Sequence, residues 1–233
     1  MNEMYSKHAS KYAKVIEDNI FNALYDRPSL MSLIEHETFE SCLDLGCGPG
    51  AYISELKKNC QHITAIDLSE EFVAIISSKY PDIKAYVADM GRGLEQELDQ
   101  TFDLVISPLA IHYVENFEKL FSEVNRVLKK GGVFAFSTHH PVVDVRDSIS
   151  GNYFEREKLT QVWDTLGDVK TEVSYFRRPL SEMTSALFSA GFVIDGLSEG
   201  VPSEKIKEIS DSHYQKLMSW PQFLFVRCKK LKL

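Results

Sequence analysis

No apolar run in the 233 residues approaches the ~20 needed to cross a bilayer, so a membrane partner is not expected. The opening residues lack the basic start and apolar stretch of a secretory signal, and the expected compartment is the cytosol. Cysteine is scarce. Cys42, Cys47, Cys60 and Cys228 stand without CxxC spacing, which argues against a zinc knuckle or a disulfide framework and favours reduced structural thiols. Positive charge is in deficit, with 26 Lys+Arg against 34 Asp+Glu and a net charge of -8. A nucleic-acid binder needs cations to displace phosphate counterions, so no nucleic-acid partner is expected. Basic residues cluster weakly at Lys129-Lys130, Arg177-Arg178 and residues 227–232, and these are read as solvated surface. Internal repeats, low-complexity tracts and long Gly/Ser/Pro linkers are also missing, which makes a single domain over 1–233 the expectation.

What is present is an ordinary globular composition, 44% hydrophobic and 26% charged, in a chain long enough to bury a sizeable core. Residues 1–36 read as a helical cap whose apolar stripe (Ile16, Ile20, Leu24, Leu33, Ile34) is interrupted near Arg27-Pro28. From residue 41 short apolar runs alternate with amphipathic helices. Strands are expected at 42–45, 62–67, 83–88, 102–107 and 133–137. Helices are expected at 51–58, after a Ser69 cap, and at 117–128. Lys129-Lys130-Gly131-Gly132 reads as the close of that last helix, cations at its C-terminus and glycine as a left-handed cap.

This alternation implies right-handed crossovers and a Rossmann-like, doubly wound α/β fold with helices on both faces of a mostly parallel sheet. Residues 139–178 lose the pattern and are aromatic-rich (Tyr153, Phe154, Trp163, Tyr175, Phe176), which suggests a lid or insertion. A helix at 181–190 and strands at 192–197 and 222–228 complete a seven-stranded sheet. The last two are joined by a connection with helical potential only near 204–209. With no full crossover helix between them, they are expected as an antiparallel pair at the sheet edge.

The chemistry concentrates at Asp44-Leu-Gly46-Cys47-Gly48-Pro-Gly50. Three alternating glycines after a strand let the backbone turn sharply and let a ligand approach where a Cβ would block it. Asp44 can reach a positively charged amino group. Asp67 ends the next strand 23 residues later, a spacing that suits a carboxylate accepting from a ribose diol. Gly46, Gly48 and Ala51 also satisfy a loose dinucleotide pattern, so a nicotinamide-dependent oxidoreductase is the rival reading. Against it, Asp44 would repel a pyrophosphate, Pro49 removes a donor from the turn, and a second mononucleotide-binding half is lacking.

These residues resemble the class I S-adenosylmethionine-dependent methyltransferases, of the bacterial small-molecule type. The resemblance rests on five ordered motifs: Leu43 to Gly50, Ala65-Ile-Asp67-Leu68-Ser69, Val87-Ala88-Asp89-Met90, residues 102–113 and residues 124–134. It implies S-adenosylmethionine as cofactor and a small-molecule methyl acceptor. Asp44 and the backbone of Gly46, Cys47, Gly48 and Gly50 would hold the methionine end. Asp67 would accept the ribose hydroxyls, and Leu68, Ala88, Asp89 and Met90 would form the adenine slot. Ser107 and Leu109 would lie beside the methionine portion and face the substrate. The Tyr5 to Tyr12 segment resembles the family's N-terminal cover over the cofactor, with Tyr12 as a contact. No metal site is expected. A general base is needed only if the acceptor must lose a proton, and of His112, His139, His140 and His213 the favoured candidates are His140 and His112. A cofactor-binding regulatory protein without catalysis is the remaining alternative.

Overall fold

The computed structural model describes residues 2–231; Met1 of the expected cap and Lys232 of the basic C-terminal cluster lie outside the described residues. The chain opens with a 3-10 turn at Glu3–Tyr5 and α1 (Ala9–Val15). A π-helical turn at Asn22–Asp26 then runs directly into α2 (Arg27–Ser32). The break in the cap therefore falls at residues 16–19 and not at Arg27-Pro28. Asn19 Oδ1 accepts from the N–H of Phe21 at 2.8 Å and restarts the helix, while Pro28 lies where the π-helical turn passes into α2.

The alternating part runs β1 (Phe39–Leu45), α3 (Ile53–Leu56), β2 (Cys60–Asp67), α4 (Glu70–Lys79), β3 (Lys84–Val87), β4 (Phe102–Ser107), α5 (Phe117–Val127) and β5 (Leu128–His139). Ser69 caps α4 by accepting from Phe72 N–H, as its sequence position implies. The helix expected over 51–58 is a single turn, α3, because the glycine loop is still turning when it begins. The expected glycine cap after α5 is absent. Leu128 is already extended (φ -76°, ψ 139°), and Lys129 pairs with Glu40 and Asp103 at 3.0 and 3.1 Å instead of the helix end.

After β5 come α6 (Pro141–Asp144), β6 (Glu157–Trp163), β7 (Thr171–Arg177), α7 (Leu180–Ser189) and β8 (Phe192–Ser198). The chain closes with α8 (Lys205–Ile209), α9 (Asp211–Ser219) and β9 (Phe223–Lys230). The main sheet has seven strands in the order β3-β2-β1-β4-β5-β9-β8, and only β9 runs against the others. The antiparallel β8–β9 pair stands as expected, although two helices join it. In α9 only Leu217 is buried, so its apolar period is too faint to read. Among the described residues no helix is long and apolar enough to cross a membrane.

Alternation along the strands divides the core. Leu43, Leu45 and Val105 pack with Phe121, Val124, Phe134, Phe136 and Leu187 on one face, while Cys42, Leu104 and Ile106 pack with Tyr25, Leu30, Ile53 and Phe225 on the other. All four cysteines are free and buried. Sequence order reverses between β1 and β4, and the carboxyl ends of β1, β2, β4 and β5 therefore border one crevice.

Residues 139–178, irregular by sequence, contain the β6–β7 antiparallel hairpin. Its buried face reads Thr171, Val173, Tyr175, Arg177, and the polar ends hide the alternation. A third cluster of Met4, Leu159, Leu166, Val173 and Tyr175 lies beneath it. Arg177 and Arg178, read from sequence as solvated, are buried. Arg177 pairs with Glu157 and donates to Ser148 Oγ at 2.9 Å and the Tyr153 carbonyl at 3.3 Å. Arg178 donates to the Val114 carbonyl at 2.7 Å and lies 3.5 Å from the Phe117 ring centre; burial lowers its guanidinium to about 10. Truncating Arg177 to Leu leaves the Tyr153 and Asn152 carbonyls without their donor and removes the cation beside Glu157. The expected result is loss of amide hydrogen-exchange protection across β6 and β7, with β1 and β4 still protected.

Candidate active site

The glycine turn follows β1 and is tied to β2 by two backbone hydrogen bonds, Gly46 and Cys47 N–H to the Ile66 carbonyl. Gly46 and Gly48 have φ of +76° and +53°, backbone that side chains resist. A Cβ on Gly46 would stand 2.5 Å from Ala110 Cβ, whereas one on Gly48 would meet nothing within 4 Å. Gly48 therefore borders open space, the wall of a cavity of about 550 Å³. Gly50 (φ +83°) points elsewhere: its Cβ would strike Ile53 and Ile76, so its smallness serves packing and it does not line the cavity.

Asp67, at the carboxyl end of β2, lines the same cavity. Its Oδ2 accepts from Gly48 N–H and its Oδ1 from Ser69 N–H, both at 2.8 Å. Burial raises its pKa and these backbone donors pull it back. Leu68, 44% exposed, lies beside it as an open apolar surface. Ala88, Asp89 and Met90 form the next stretch of wall, with Asp89 Oδ1 accepting from Gly91 N–H at 2.9 Å. Cys47 also lines the cavity, and burial pushes its thiol well above the usual range.

Asp44 is fully buried behind the turn, and neither carboxylate oxygen has a partner among the described residues. Desolvation, then the nearby Asp67 charge, pushes its pKa up to about 8. Such a group holds a proton at neutral pH until a cation approaches. Ser107 departs from its expected role. Its hydroxyl donates to the Leu45 carbonyl at 2.7 Å, wholly buried between β4 and β1, and it reaches neither cavity.

Leu109, two residues on, lines both this cavity and a second one of about 330 Å³. It adopts φ +45°, an uncommon backbone for a branched side chain, which marks a position held by its surroundings. Tyr5, Tyr12, Asn22 and Tyr113 are also common to both cavities. Tyr5 and Tyr113 share a hydrogen bond between hydroxyls, and Tyr12 packs edge-on against Tyr5 with ring centres 5.1 Å apart.

The second cavity reaches under the β6–β7 hairpin and is walled by His112, His139, Asp144, Trp163, Tyr175 and Phe223, among others. His112 Nε2 is buried without a partner among the described residues, and burial holds the imidazole far below its ordinary pKa. His140 lines neither cavity. Its Nδ1 accepts from Val142 N–H at 3.2 Å and its Nε2 lies 3.0 Å from Glu199, so it caps α6 and ties β5 to the end of β8. The neighbouring His139 takes the place by the cavity that the sequence reading gave to His140.

Sequence reasoning missed Asp26, Arg27 and Tyr52, which line the larger cavity near the turn. Tyr52 donates to Asp26 Oδ2, while Asp26 Oδ1 and Arg27 Nε are buried and unpartnered. Burial raises Asp26 to about 6. No spacing in the chain announces Asp26 and Arg27, because the π-helical turn brings them to the crevice, where they meet Tyr52 at the start of α3. The donor set fits the cofactor that the motif resemblance implies. An anionic end would meet Arg27 and a cationic one Asp26 on the cavity wall, with the unpartnered Asp44 carboxylate behind the turn and lining neither cavity, and a diol would meet Asp67.

The sequence family described as a methyltransferase domain matches residues 43–136. An uncharacterized protein of Haemophilus influenzae is 23% identical over 91% of this chain and 89% of its own length. Thiol S-methyltransferase TMT1A of Homo sapiens is 30% identical over 55% of this chain and 52% of its own length. Malonyl-[acyl-carrier protein] O-methyltransferase of Enterobacter lignolyticus is 33% identical over 47% and 43%. The chain thus spans about half or less of these two named enzymes. Among solved structures, an S-adenosylmethionine dependent methyltransferase from Mesorhizobium loti superposes with a TM-score of 0.67 at 26% identity. That match covers 87% of this chain and 96% of that one.

Proposed function

Because the chain belongs to the class I S-adenosylmethionine-dependent methyltransferase family, we propose that it methylates a small molecule held in the cavity under the β6–β7 hairpin. The supporting observation is that two cavities meet at Leu109, Tyr5, Tyr12 and Tyr113. The bound cofactor supplies a sulfonium methyl already activated for displacement. In this reading Asp67 holds the ribose, Leu68, Ala88, Asp89 and Met90 the adenine, and the Gly46–Gly48 backbone with Asp44, Asp26 and Arg27 the methionine end. The residues shared by the two cavities then align the methyl with the acceptor, and the hairpin excludes water.

A small acceptor is favoured by three features. The second cavity is small, several aromatic rings (Tyr113, Trp163, Tyr175 and Phe223 among them) line it, and the net charge of -8 opposes polynucleotides. The relative named a thiol S-methyltransferase supports a small acceptor, whereas the one named for malonyl-[acyl-carrier protein] acts on a carrier-borne group. Release of S-adenosylhomocysteine should appear with small thiols, phenols or carboxylic acids. Turnover only with RNA, DNA or a folded protein would reject the proposal.

Asp44 gives a pH dependence. In the ligand-free protein it keeps its proton up to about 8, against 3.8 ordinarily, so between those values the native state binds more protons than the unfolded chain. Its contribution to stability therefore declines as pH rises from 3.8 to about 8. A cation bound beside it favours the carboxylate, so binding S-adenosylmethionine at pH 7 is expected to release a proton. Calorimetry in buffers of different ionisation enthalpy measures that release, and Asp44→Asn should abolish it.

A further inference from the structure

His139 is the last residue of β5, and Asp144 ends α6 one turn later. His139 Nδ1 lies 3.3 Å from Asp144 Oδ1, with both side chains largely buried and both lining the smaller cavity. The His139 ring stacks on His112 at 4.1 Å between centres and 21° between planes. Two imidazoles in such contact resist carrying charge together. Desolvation, then His139 and Arg178, hold His112 neutral, and of the two rings it is His139 that has a carboxylate beside it, Asp144. Asp144 engages Nδ1, which fixes the ring and leaves Nε2 as the nitrogen available to an acceptor.

We propose that His139, oriented and charge-stabilised by Asp144, is the general base that deprotonates the methyl acceptor, and that the acceptor is therefore a hydroxyl or an alkyl thiol. The inference rests on the methyltransferase reading given above. As the acceptor's lone pair bonds to the methyl carbon, the C–S pair returns to sulfur, and the X–H proton passes to His139 Nε2 and later to solvent. The imidazolium so formed is compensated by Asp144 and stacked on a neutral ring. A carboxylic acid acceptor, already ionised at neutral pH, would need no such base.

The groups facing His139 are His112 after β4, Asp144 and Asp147 after β5, and Tyr175 on β7, with Lys216 of α9 on the same cavity. The Tyr175 phenol stays protonated, raised by burial and by the Asp144 and Asp147 charges, so it does not compete as the base.

The test begins with NMR titration of histidine-labelled protein saturated with S-adenosylhomocysteine. His139 should titrate, His112 should stay neutral, and Asp144→Asn should lower the His139 pKa. An unchanged pKa in that variant overturns the pairing. Rates are then compared for phenylmethanethiol, protonated at neutral pH, and 4-nitrothiophenol, already ionised. His139→Gln should lose about 10²–10⁴-fold on the first, together with its pH inflection, and little on the second. Equal losses on both thiols, or none, overturn the base role, and failure of the native protein to methylate either thiol or any of a panel of phenols and alcohols overturns the acceptor class. Loss of S-adenosylhomocysteine binding by the native chain would instead strike the reading beneath it.

Discussion

Asp67→Ala is expected to weaken S-adenosylhomocysteine binding by about 10²–10⁴-fold. The carboxylate is half-buried and joins two parts of the site, one oxygen accepting from Gly48 N–H in the turn and the other from Ser69 N–H ahead of α4. Each oxygen keeps a second lone pair for a ribose hydroxyl. Hydrogen bonds to a charged group contribute about 1.5–3 kcal/mol each, so losing two costs about 3–6 kcal/mol of binding. Alanine also leaves Gly48 N–H without its acceptor and slackens the turn. Asp67→Asn should fall between, since its amide oxygen can serve one backbone donor while its NH₂ opposes the other. Calorimetric titration of both variants, with thermal melts to show that they fold, checks the order Asp, Asn, Ala.

Gly46→Ala is expected to cost about 2–5 kcal/mol of folding stability, from a left-handed backbone that alanine resists and a forced overlap. The added methyl would lie 2.5 Å from Ala110 Cβ and 3.1 Å from Met90 Cε, and two backbone bonds hold this end of the turn to β2, leaving little room to yield. The melting temperature should fall by roughly 5–15 °C for a chain of this size. Gly48→Ala is the internal comparison. Its Cβ meets nothing within 4 Å, so only backbone strain of about 1 kcal/mol remains, while the methyl projects into the larger cavity. Gly46→Ala should therefore lose mainly stability and Gly48→Ala mainly cofactor affinity.

The contrast between these glycines shows where sequence reading succeeds and stops. The motif identifies a turn that needs glycine, and Asp67 and Asp89 come out on the cavity wall because both follow strands whose periodicity is plain. Within the motif, however, the residues do different work: Gly48 borders the cavity, Gly50 packs against Ile53 and Ile76, and Asp44 sits behind it. Ser107 was placed correctly at a strand end, yet the direction of its side chain depends on the β1 partner and is invisible to spacing. His139 and His140 are adjacent, so strand alternation alone must send them to opposite sides. Reading β5 through to residue 139 would have separated them. The β6–β7 hairpin escaped notice because its buried face ends in Thr171 and Arg177, and Arg177 is buried only through partners far off in sequence.

Calorimetric titration of the native chain with S-adenosylhomocysteine and, separately, with NADH tests the cofactor site most directly. Saturable one-to-one binding of S-adenosylhomocysteine, lost in Asp67→Ala and matched by no heat from NADH, is the expected result. A folded native chain that ignores S-adenosylhomocysteine, or that binds NADH at the same Asp67-dependent site, would contradict it.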